Sequence, residues 1–216
     1  MVGAHSGQLH LHNGRDNLIE NNIFIGGVTQ QVLYTGWSKR SKYWKHHLPT
    51  MIKSYTAIKD QPAWQDMRNI HIEPKQAPGT DNLIMSGNIF RRNIVYYLKP
   101  KADLYKLIRV PLDRNHWDAN LYWHVGMPLA IPQKSTAKED EWATWQKAGQ
   151  DNHSLIADPL FMDPEKGDYR LRKDSPAFSI GFKPIPMDRI GPYQSDQRAH
   201  WPIAEATGVR EYSASR

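Results

Sequence analysis

The chain has 216 residues, of which 39% are hydrophobic, and a formal net charge of +6. It holds no cysteine, which excludes a disulfide framework, a cysteine-ligated zinc site and a thiol nucleophile within these residues. No apolar run approaches the roughly 20 residues of a membrane-spanning helix, so we expect no transmembrane segment. Eight Trp, ten Tyr and fifteen Pro indicate loop-rich β structure with aromatic surfaces rather than a helical bundle.

The amino-terminal residues 1–14 show no basic region followed by an apolar one, so no signal peptide is predicted. They enter a patterned segment at once, and we expect them to continue a longer polypeptide. In "HLHNGRDNLIE", His10 and His12 alternate with apolar residues and should lie on one side of a strand. This cluster is either a sugar-binding or proton-transfer site, or a polar outer face followed by an Asp cap.

One phrase recurs along the chain: an Asn, then an apolar or β-branched residue, then an aromatic residue or His. Each phrase predicts a short strand, because Asn tolerates the left-handed backbone of a corner and the other residues favour extended chain. Recurrence at irregular intervals of roughly 20–50 residues predicts a β-solenoid with stacked asparagines. A β-sandwich is the alternative, but the hairpin turns that it requires are missing. The phrases are NNIFI from Asn21, RNIHI from Arg68, GNIF from Gly87, RNIVYY from Arg92 and ANLYW from Ala119.

Two insertions interrupt this repeat, at about residues 28–67 and 128–150. In the first, "SKYWKHHLPTMIKSYTAI" has apolar residues near helical spacing, and Pro49 is expected to kink or end the helix. In the second, a helix is predicted with Trp142 and Trp145 on one face. Insertions of a solenoid often build its binding face.

The densest basic cluster, "KRSKYWK" from Lys39 to Lys45, alternates basic and aromatic residues. It is either a patch for an anionic ligand or nucleic acid, or a solvated helix face with its lysine stems lying along the surface. No recognised nucleic-acid motif accompanies it, so no nucleic-acid partner is predicted.

The stretch from 145 to 193 consists of turn signals followed by short strands. Its two Asp-Pro pairs favour extended or turn geometry, and "EKGDYRL" predicts a turn followed by the strand Tyr169–Leu171. We interpret residues 155–193 as a terminal cap, since the last unit of a solenoid must be covered. Residues 194–216 are polar and weakly patterned, and they are interpreted as a C-terminal tail.

The phrases "GQDNHSLIADPLFMDP", "GDYRLRKDSPAFSIGF" and "NLIENNIFIGG" resemble the C-terminal part of bacterial right-handed parallel β-helix proteins of the pectate-lyase-like superfamily, and are similar to glycoside hydrolase family 141. The resemblance runs from about Gly7 to Tyr193. It implies an all-β fold for residues 1–193: a right-handed parallel β-helix of few coils, with short helical insertions and a C-terminal cap. It also implies a carbohydrate-active protein that is extracellular or periplasmic.

Such a protein would hydrolyse glycosidic bonds of a plant or algal polysaccharide, here as part of a longer enzyme. Hydrolysis needs two carboxyl groups about 5–5.5 Å or about 6.5–9.5 Å apart; lyase chemistry, the second choice, needs a base and usually a cation. The catalytic candidates are Asp16, Asp113, Asp118 and His12. Substrate-binding candidates offer aromatic faces for sugar rings or basic groups for carboxylates. They are His10, Arg15, Trp37, Arg40, Tyr43, Trp44 and Trp123.

Each candidate keeps a structural alternative. Asp113 and Asp118 are close in sequence, but an Asp just before an Asn-apolar-aromatic strand is commonly a corner cap. Trp44 is as readily a residue that pins the first insertion to the fold. If these alternatives hold, the chain is a non-catalytic glycan-binding or structural β-helix.

The expected partners follow from this interpretation: a polysaccharide or oligosaccharide, and neither nucleic acid nor a membrane. Self-association through an exposed N-terminal coil is a further expectation, because such a coil leaves strand edges open. No third ligand accompanies His10 and His12, so no metal site and no cofactor are predicted, with Ca²⁺ left as an open alternative.

Overall fold

A computed structural model describes residues 7–67, 77, 79–129 and 141–186. The chain divides into two compact units, residues 1–183 and 184–216. Every helix and strand named below belongs to the first unit. Of the second unit, residues 184–186 are described, and they are neither helical nor extended in a sheet. The division between a domain ending at residue 193 and a tail therefore stays a prediction.

Short strands and three helices make up the first unit in the part of the chain that is described. The strands are Leu9–His12 (β1), Leu18–Glu20 (β2), Ile23–Ile25 (β3), Gln30–Thr35 (β4), Ile89–Arg91 (β5), Ile94–Tyr96 (β6), Asp103–Ile108 (β7), His116–Asp118 (β8), Leu121–Trp123 (β9), Leu155–Ile156 (β10), Phe161–Asp163 (β11) and Asp168–Leu171 (β12). The helices are Lys42–Ile58 (α1), Pro62–Gln65 (α2) and Glu141–Lys147 (α3). Single 3₁₀ turns span Leu112–Arg114, Pro164–Lys166 and Pro176–Phe178.

The strands form four separate sheets. Three are parallel, in the orders β1-β4-β7, β2-β5-β8 and β3-β6-β9-β10, and β11 pairs with β12 antiparallel. Apolar residues of the same kind share a register position, as where Ile23 lies beside Ile94 and Ile94 beside Leu121. Lateral stacking of such residues buries Phe24, Phe90 and Val95 in the core between the sheets.

The predicted fold class, an all-β right-handed parallel β-helix, is wrong. The described residues are mixed α/β, with short parallel sheets that stay separate and with helices beside them. The reason is local: the Asn-apolar-aromatic phrases extend for only three residues as strands, as in β3, β6 and β9. Between β4 and β5 the chain forms a 17-residue helix, which is no short insertion.

Two rows of asparagines link the parallel strands at the turns that precede them. The first row is Asn17, Asn88 and Asn115, in which each Nδ2 donates to the next Oδ1 at 2.8 Å. The second row is Asn22, Asn93 and Asn120, with the same bonds at 3.0 and 3.2 Å. In both rows the Oδ1 also accepts the backbone N–H of the preceding asparagine, for example from Asn22 to Asn93 at 3.0 Å. These amide ladders fix the register of the two sheets that follow.

A buried carboxylate organises the aromatic part of the core. Asp151 is completely buried and accepts hydrogen bonds from five side chains. The donors are Ser154 Oγ at 2.6 Å, Trp145 Nε1 at 2.8 Å, Tyr122 OH at 2.9 Å, Asn120 Nδ2 at 3.1 Å and Tyr105 OH at 3.2 Å. Burial raises the pKa of Asp151, although the bonds from Ser154, Trp145, Asn120 and Tyr122 act in the opposite direction. The second asparagine row therefore ends at Asp151, a buried carboxyl group whose oxygens both accept hydrogen bonds.

The first predicted insertion is partly wrong. Its residues 30–35 form the strand β4, which lies between β1 and β7, because the alternation in "QQVLYT" buries Val32 and Tyr34. The predicted helix is confirmed as α1, which runs on through Pro49. Its N-cap is Ser41, whose Oγ accepts the backbone N–H of Tyr43.

The second insertion and the C-terminal segment agree with local expectations where they are described. In α3, Trp145 is buried and Trp142 packs against the same core, as their shared helix face predicts. Residues 130–140 lie outside the described part of the chain. The predicted turn has Gly167 at φ +80°, a left-handed conformation that suits glycine, and the strand β12 follows it.

Truncation of a ladder asparagine tests how much the ladders contribute to the stability of the fold. Asn93→Ala removes the Oδ1 that accepts two hydrogen bonds from Asn22 and the Nδ2 that donates to the Ile19 carbonyl oxygen. Several polar groups therefore lose their partners. We expect the free energy of unfolding to fall by about 3 kcal/mol, measured by urea denaturation. The control is Asn152→Ala, an exposed position, which should change it by less than about 0.5 kcal/mol. Equal stability of the two variants would show that the ladders contribute little.

Candidate functional site

The strand β1 presents two histidines to solvent. Its sequence Leu-His-Leu-His alternates, so Leu9 and Leu11 pack against the core while His10 and His12 are exposed on one side, as predicted. Parallel pairing with β4 places Thr35 beside His12, and the Thr35 hydroxyl lies 3.2 Å from His10 Nε2. The two imidazole centroids are 5.6 Å apart.

Trp37 connects this strand to the first helix. Its Nε1–H donates to His12 Nε2 at 3.0 Å, so this nitrogen of His12 acts as an acceptor. The backbone N–H of Trp37 donates to Asn13 Oδ1 at 2.9 Å, which holds the residue at the end of β4. Gly36 precedes it, and a Cβ there would collide with the Arg109 carbonyl oxygen, so a glycine is needed at this approach.

The first turn of α1 completes the cluster. Because Ser41 caps the helix, Tyr43 and Trp44 are brought against Trp37, with centroid distances of 4.0 and 5.3 Å. One helical turn further, the ring of His47 lies 4.0 Å from that of Tyr43. Trp44 is only 7% exposed and faces inward, whereas Tyr43 is 44% exposed.

Together these side chains form a continuous line of rings across β1, the end of β4 and the start of α1. We call it the aromatic–histidine surface, and it comprises His10, His12, Trp37, Tyr43, Trp44, His46 and His47. Five of these were substrate-binding or catalytic candidates from sequence. His46 and His47 were missed as site residues, although their i+3 and i+4 spacing from Tyr43 could have indicated them.

Arg40 and Trp123 differ in how they relate to this surface. Arg40 is exposed in the turn between Trp37 and α1, and its backbone N–H donates to Ser38 Oγ at 3.0 Å. Trp123 lies in β9, which belongs to the sheet β3-β6-β9-β10 rather than to the sheet of β1 and β4. Arg40 therefore lies in the turn between two parts of the ring surface, three residues from both Trp37 and Tyr43, whereas Trp123 lies in a different sheet.

Two candidate carboxylates line one open depression of about 580 Å³. Asp16 lies in the turn before β2 with a left-handed φ of +53°, and its backbone N–H donates to the Ser86 carbonyl oxygen at 3.0 Å. Asp113 lies in a 3₁₀ turn, and its side chain is 77% exposed. His116 lines the same depression. The structure thus groups two of the three predicted catalytic aspartates.

Arg15 precedes Asp16 and is half-buried. Burial lowers the pKa of its guanidinium, while the neighbouring Asp16 carboxylate opposes this change. Among the described residues no partner accepts a hydrogen bond from its buried Nη1. Arg15 therefore adjoins the depression through Asp16.

The carboxyl group of Asp118 is held by His153. Its two oxygens accept hydrogen bonds from the backbone N–H and the Nδ1 of His153, at 2.8 and 2.7 Å. Burial by itself raises the pKa of Asp118, but the hydrogen bonds from His153 outweigh it and the net direction is downward. This geometry favours the corner cap over a carboxylate that attacks or protonates a substrate.

Two further features, a cluster of metal ligands and a membrane-spanning helix, concern the described residues alone. No group of three or more His, Asp or Glu there is arranged to hold a metal ion. No described helix is both long and apolar enough to cross a membrane.

Asp151 is the acidic residue that sequence reasoning missed. It is buried at the end of an asparagine row, so it serves the core and not the depression. The phrase "QDNHS" places an Asp where the earlier repeats have an Asn phrase, and that substitution could have indicated it.

Glu20, the last residue of β2, forms ion pairs with Arg91 and Arg92 whose contribution to stability can be tested. The hydrogen bond from Arg91, opposed by burial and supported by Arg92, holds the pKa of Glu20 below its ordinary value. A lowered folded-state pKa stabilises the fold above the unfolded value of about 4.3 and loses that effect as pH falls. We expect Glu20→Gln to lower stability at neutral pH by less than about 1 kcal/mol, because the pair is partly exposed.

Urea denaturation should show this difference disappear in acid, once Glu20 is protonated in the folded protein. The control Glu165→Gln changes an exposed carboxylate, and its stability should follow the wild type at both pH values. A loss for Glu20→Gln that is as large in acid as at neutral pH would contradict the assignment.

Comparison with known proteins was made for family models, curated proteins and solved structures. No family model, no curated protein and no solved structure matches this chain. The candidate site therefore depends on its geometry: a line of rings on one surface and two carboxylates around one depression.

Proposed function

We propose that this protein binds carbohydrate at the aromatic–histidine surface. The observation that carries the proposal is the exposed ring line in which Tyr43 lies 4.0 Å from Trp37 and 4.0 Å from His47. Flat aromatic faces stack on the C–H faces of sugar rings, and ring N–H and hydroxyl groups hydrogen-bond sugar hydroxyls. The resemblance of the C-terminal phrases to carbohydrate-active proteins points the same way.

A purely structural role accounts for only part of this surface. Trp44 is buried and packs with Ala77 and Ile84, so it anchors α1 to the rest of the fold. The same cannot be said of Tyr43, which is 44% exposed, or of the exposed His10. Large rings left in water at the end of a strand and the start of a helix indicate a binding surface.

A second candidate function is hydrolysis of a glycosidic bond at the depression. The observation that favours it is the presence of Asp16 and Asp113 on the wall of one open volume of about 580 Å³. Two carboxyl groups facing one sugar are what glycoside hydrolysis requires. Since Asp118 is held by His153, we assign the pair to Asp16 and Asp113.

Loss of an exposed ring tests carbohydrate binding. Tyr43→Ala removes the ring between Trp37 and His47, so we expect polysaccharide affinity to fall on the order of tenfold, which corresponds to about 1.4 kcal/mol. Affinity electrophoresis against a panel of plant and algal polysaccharides measures it. The matched control is Tyr55→Ala on the same helix, which is about two turns beyond His47, the last ring of the line on α1, and should bind as the wild type does.

Two results would count against binding at this surface. One is equal retardation of Tyr43→Ala and Tyr55→Ala by every polysaccharide that retards the wild type. The other is the failure of the wild type to bind any polysaccharide of the panel.

The hydrolase candidate has its own test in the release of reducing ends. The Asp16→Asn, Asp113→Asn double variant keeps a residue that tolerates the left-handed turn at position 16. If the pair is catalytic, the rate should fall at least about 100-fold, while the exposed control Asp174→Asn keeps it. Wild-type protein that releases no reducing ends from the panel would exclude this second function and leave the binding proposal intact.

A further inference from the structure

The positive charge of the chain is concentrated around the aromatic–histidine surface. Residues 21–59 contain six Lys or Arg and not one Asp or Glu. The other 177 residues carry 22 basic and 22 acidic residues, so they are neutral overall. The whole formal net charge of +6 therefore belongs to the segment that runs from β3 through β4 to the end of α1.

Not every one of these six cations is available to a ligand. Lys39 Nζ donates to the carbonyl oxygens of Ala77 and Gly79, at 2.8 and 3.1 Å, and so holds the polypeptide. Lys59 pairs with Asp60 at 2.7 Å. Lys53 lies ten residues beyond Tyr43 on α1, almost three helical turns from that ring.

Three cations remain beside the rings: Arg40, Lys42 and Lys45. All three are exposed, and none forms an ion pair with a carboxylate of the described residues. Arg40 lies in the turn after Trp37, and Lys42 begins the helix that carries Tyr43. Lys42 and His46 are four residues apart, so they share a helix face next to the ring line. Cations without partners repel one another, and an anion that bridges them relieves this repulsion.

We propose that the carbohydrate bound at the aromatic–histidine surface is anionic. This rests on the proposed function. A sugar ring stacks at Tyr43 and Trp37, while its carboxylate or sulfate contacts Arg40 and Lys42. Arg binds an oxyanion through two parallel hydrogen bonds, and Lys supplies a point charge.

A glycan fits these observations better than a single-stranded nucleic acid. A nucleic-acid strand is bound along a charged groove that follows successive phosphates for several nucleotides. Here three cations cluster at one helix start, and most neighbouring rings meet edge-on or tilted, not as a stack of parallel platforms. This arrangement suits one charged sugar unit with its neighbours.

The test compares glycans that differ only in charge. Polygalacturonate and its methyl ester form a carboxylate pair, and dextran sulfate and dextran form a sulfate pair. The variant Arg40→Gln, Lys42→Gln removes the two contacts. The control Lys101→Gln, Lys173→Gln removes two exposed charges elsewhere, so that net charge is matched. Circular dichroism melting confirms that each variant folds as the wild type does.

We expect at least one acidic member to bind at least about tenfold more tightly than its neutral partner at moderate salt. Arg40→Gln, Lys42→Gln should abolish that preference, and the control should keep it within about twofold. Which of the two pairs shows the preference distinguishes carboxylate from sulfate.

The outcomes distinguish the anionic preference from the proposal that this surface binds carbohydrate. If neutral and acidic partners bind equally well, the anionic preference is wrong while carbohydrate binding stands. If no glycan of either pair binds, both fail. If an oligothymidylate binds more tightly than either acidic glycan and loses affinity in Arg40→Gln, Lys42→Gln, the ligand is a nucleic acid and the inference is overturned.

Discussion

The two asparagine ladders are the constraint on which the arrangement of this protein depends. Each ladder asparagine donates through Nδ2 and accepts through Oδ1, so a shift of one residue in any strand would leave buried amides without partners. The rows fix β2, β5 and β8 relative to one another, and likewise β3, β6 and β9. They also fix the turn before β2, where Asp16 adopts its left-handed conformation. Asn88 and Asn115 of the first row line the depression together with Asp16.

Acidic side chains serve three different purposes here, and their surroundings decide which. Asp151 is buried among five donors and stabilises the aromatic core. Asp118 caps a corner through His153. Asp16 and Asp113 line an open depression with His116, and they are the pair that we propose for hydrolysis. The pKa of Asp151 is raised because burial dominates there, whereas that of Asp118 is lowered because hydrogen bonds from His153 outweigh burial.

The exposed cations Arg40, Lys42 and Lys45 accompany the aromatic–histidine surface because residues 37–47 contain these cations and five of its seven rings. Trp37 follows β4, and Ser41 caps α1 four residues later. Aromatic and basic residues are interspersed from Trp37 to Lys45, so folding places the rings on one line and leaves the cations beside them. An exposed cluster of this composition favours a ligand with a flat ring and a negative charge.

The sequence alone was enough to place the helix α1, the four strand phrases that lie in the described residues, and the alternation that exposes His10 and His12. These features depend on local periodicity and on the backbone preferences of single residues. The all-β fold class could not be obtained correctly from the same patterns, since they did not reveal how short the strands are or that β4 lies inside the first insertion. Only the tertiary structure decided that Trp37 meets Tyr43 and His12, and that Asp118 belongs to His153 and Asp151 to the core. Most of those contacts join residues 25 or more positions apart, and their free energy depends on burial and partners that no local pattern contains.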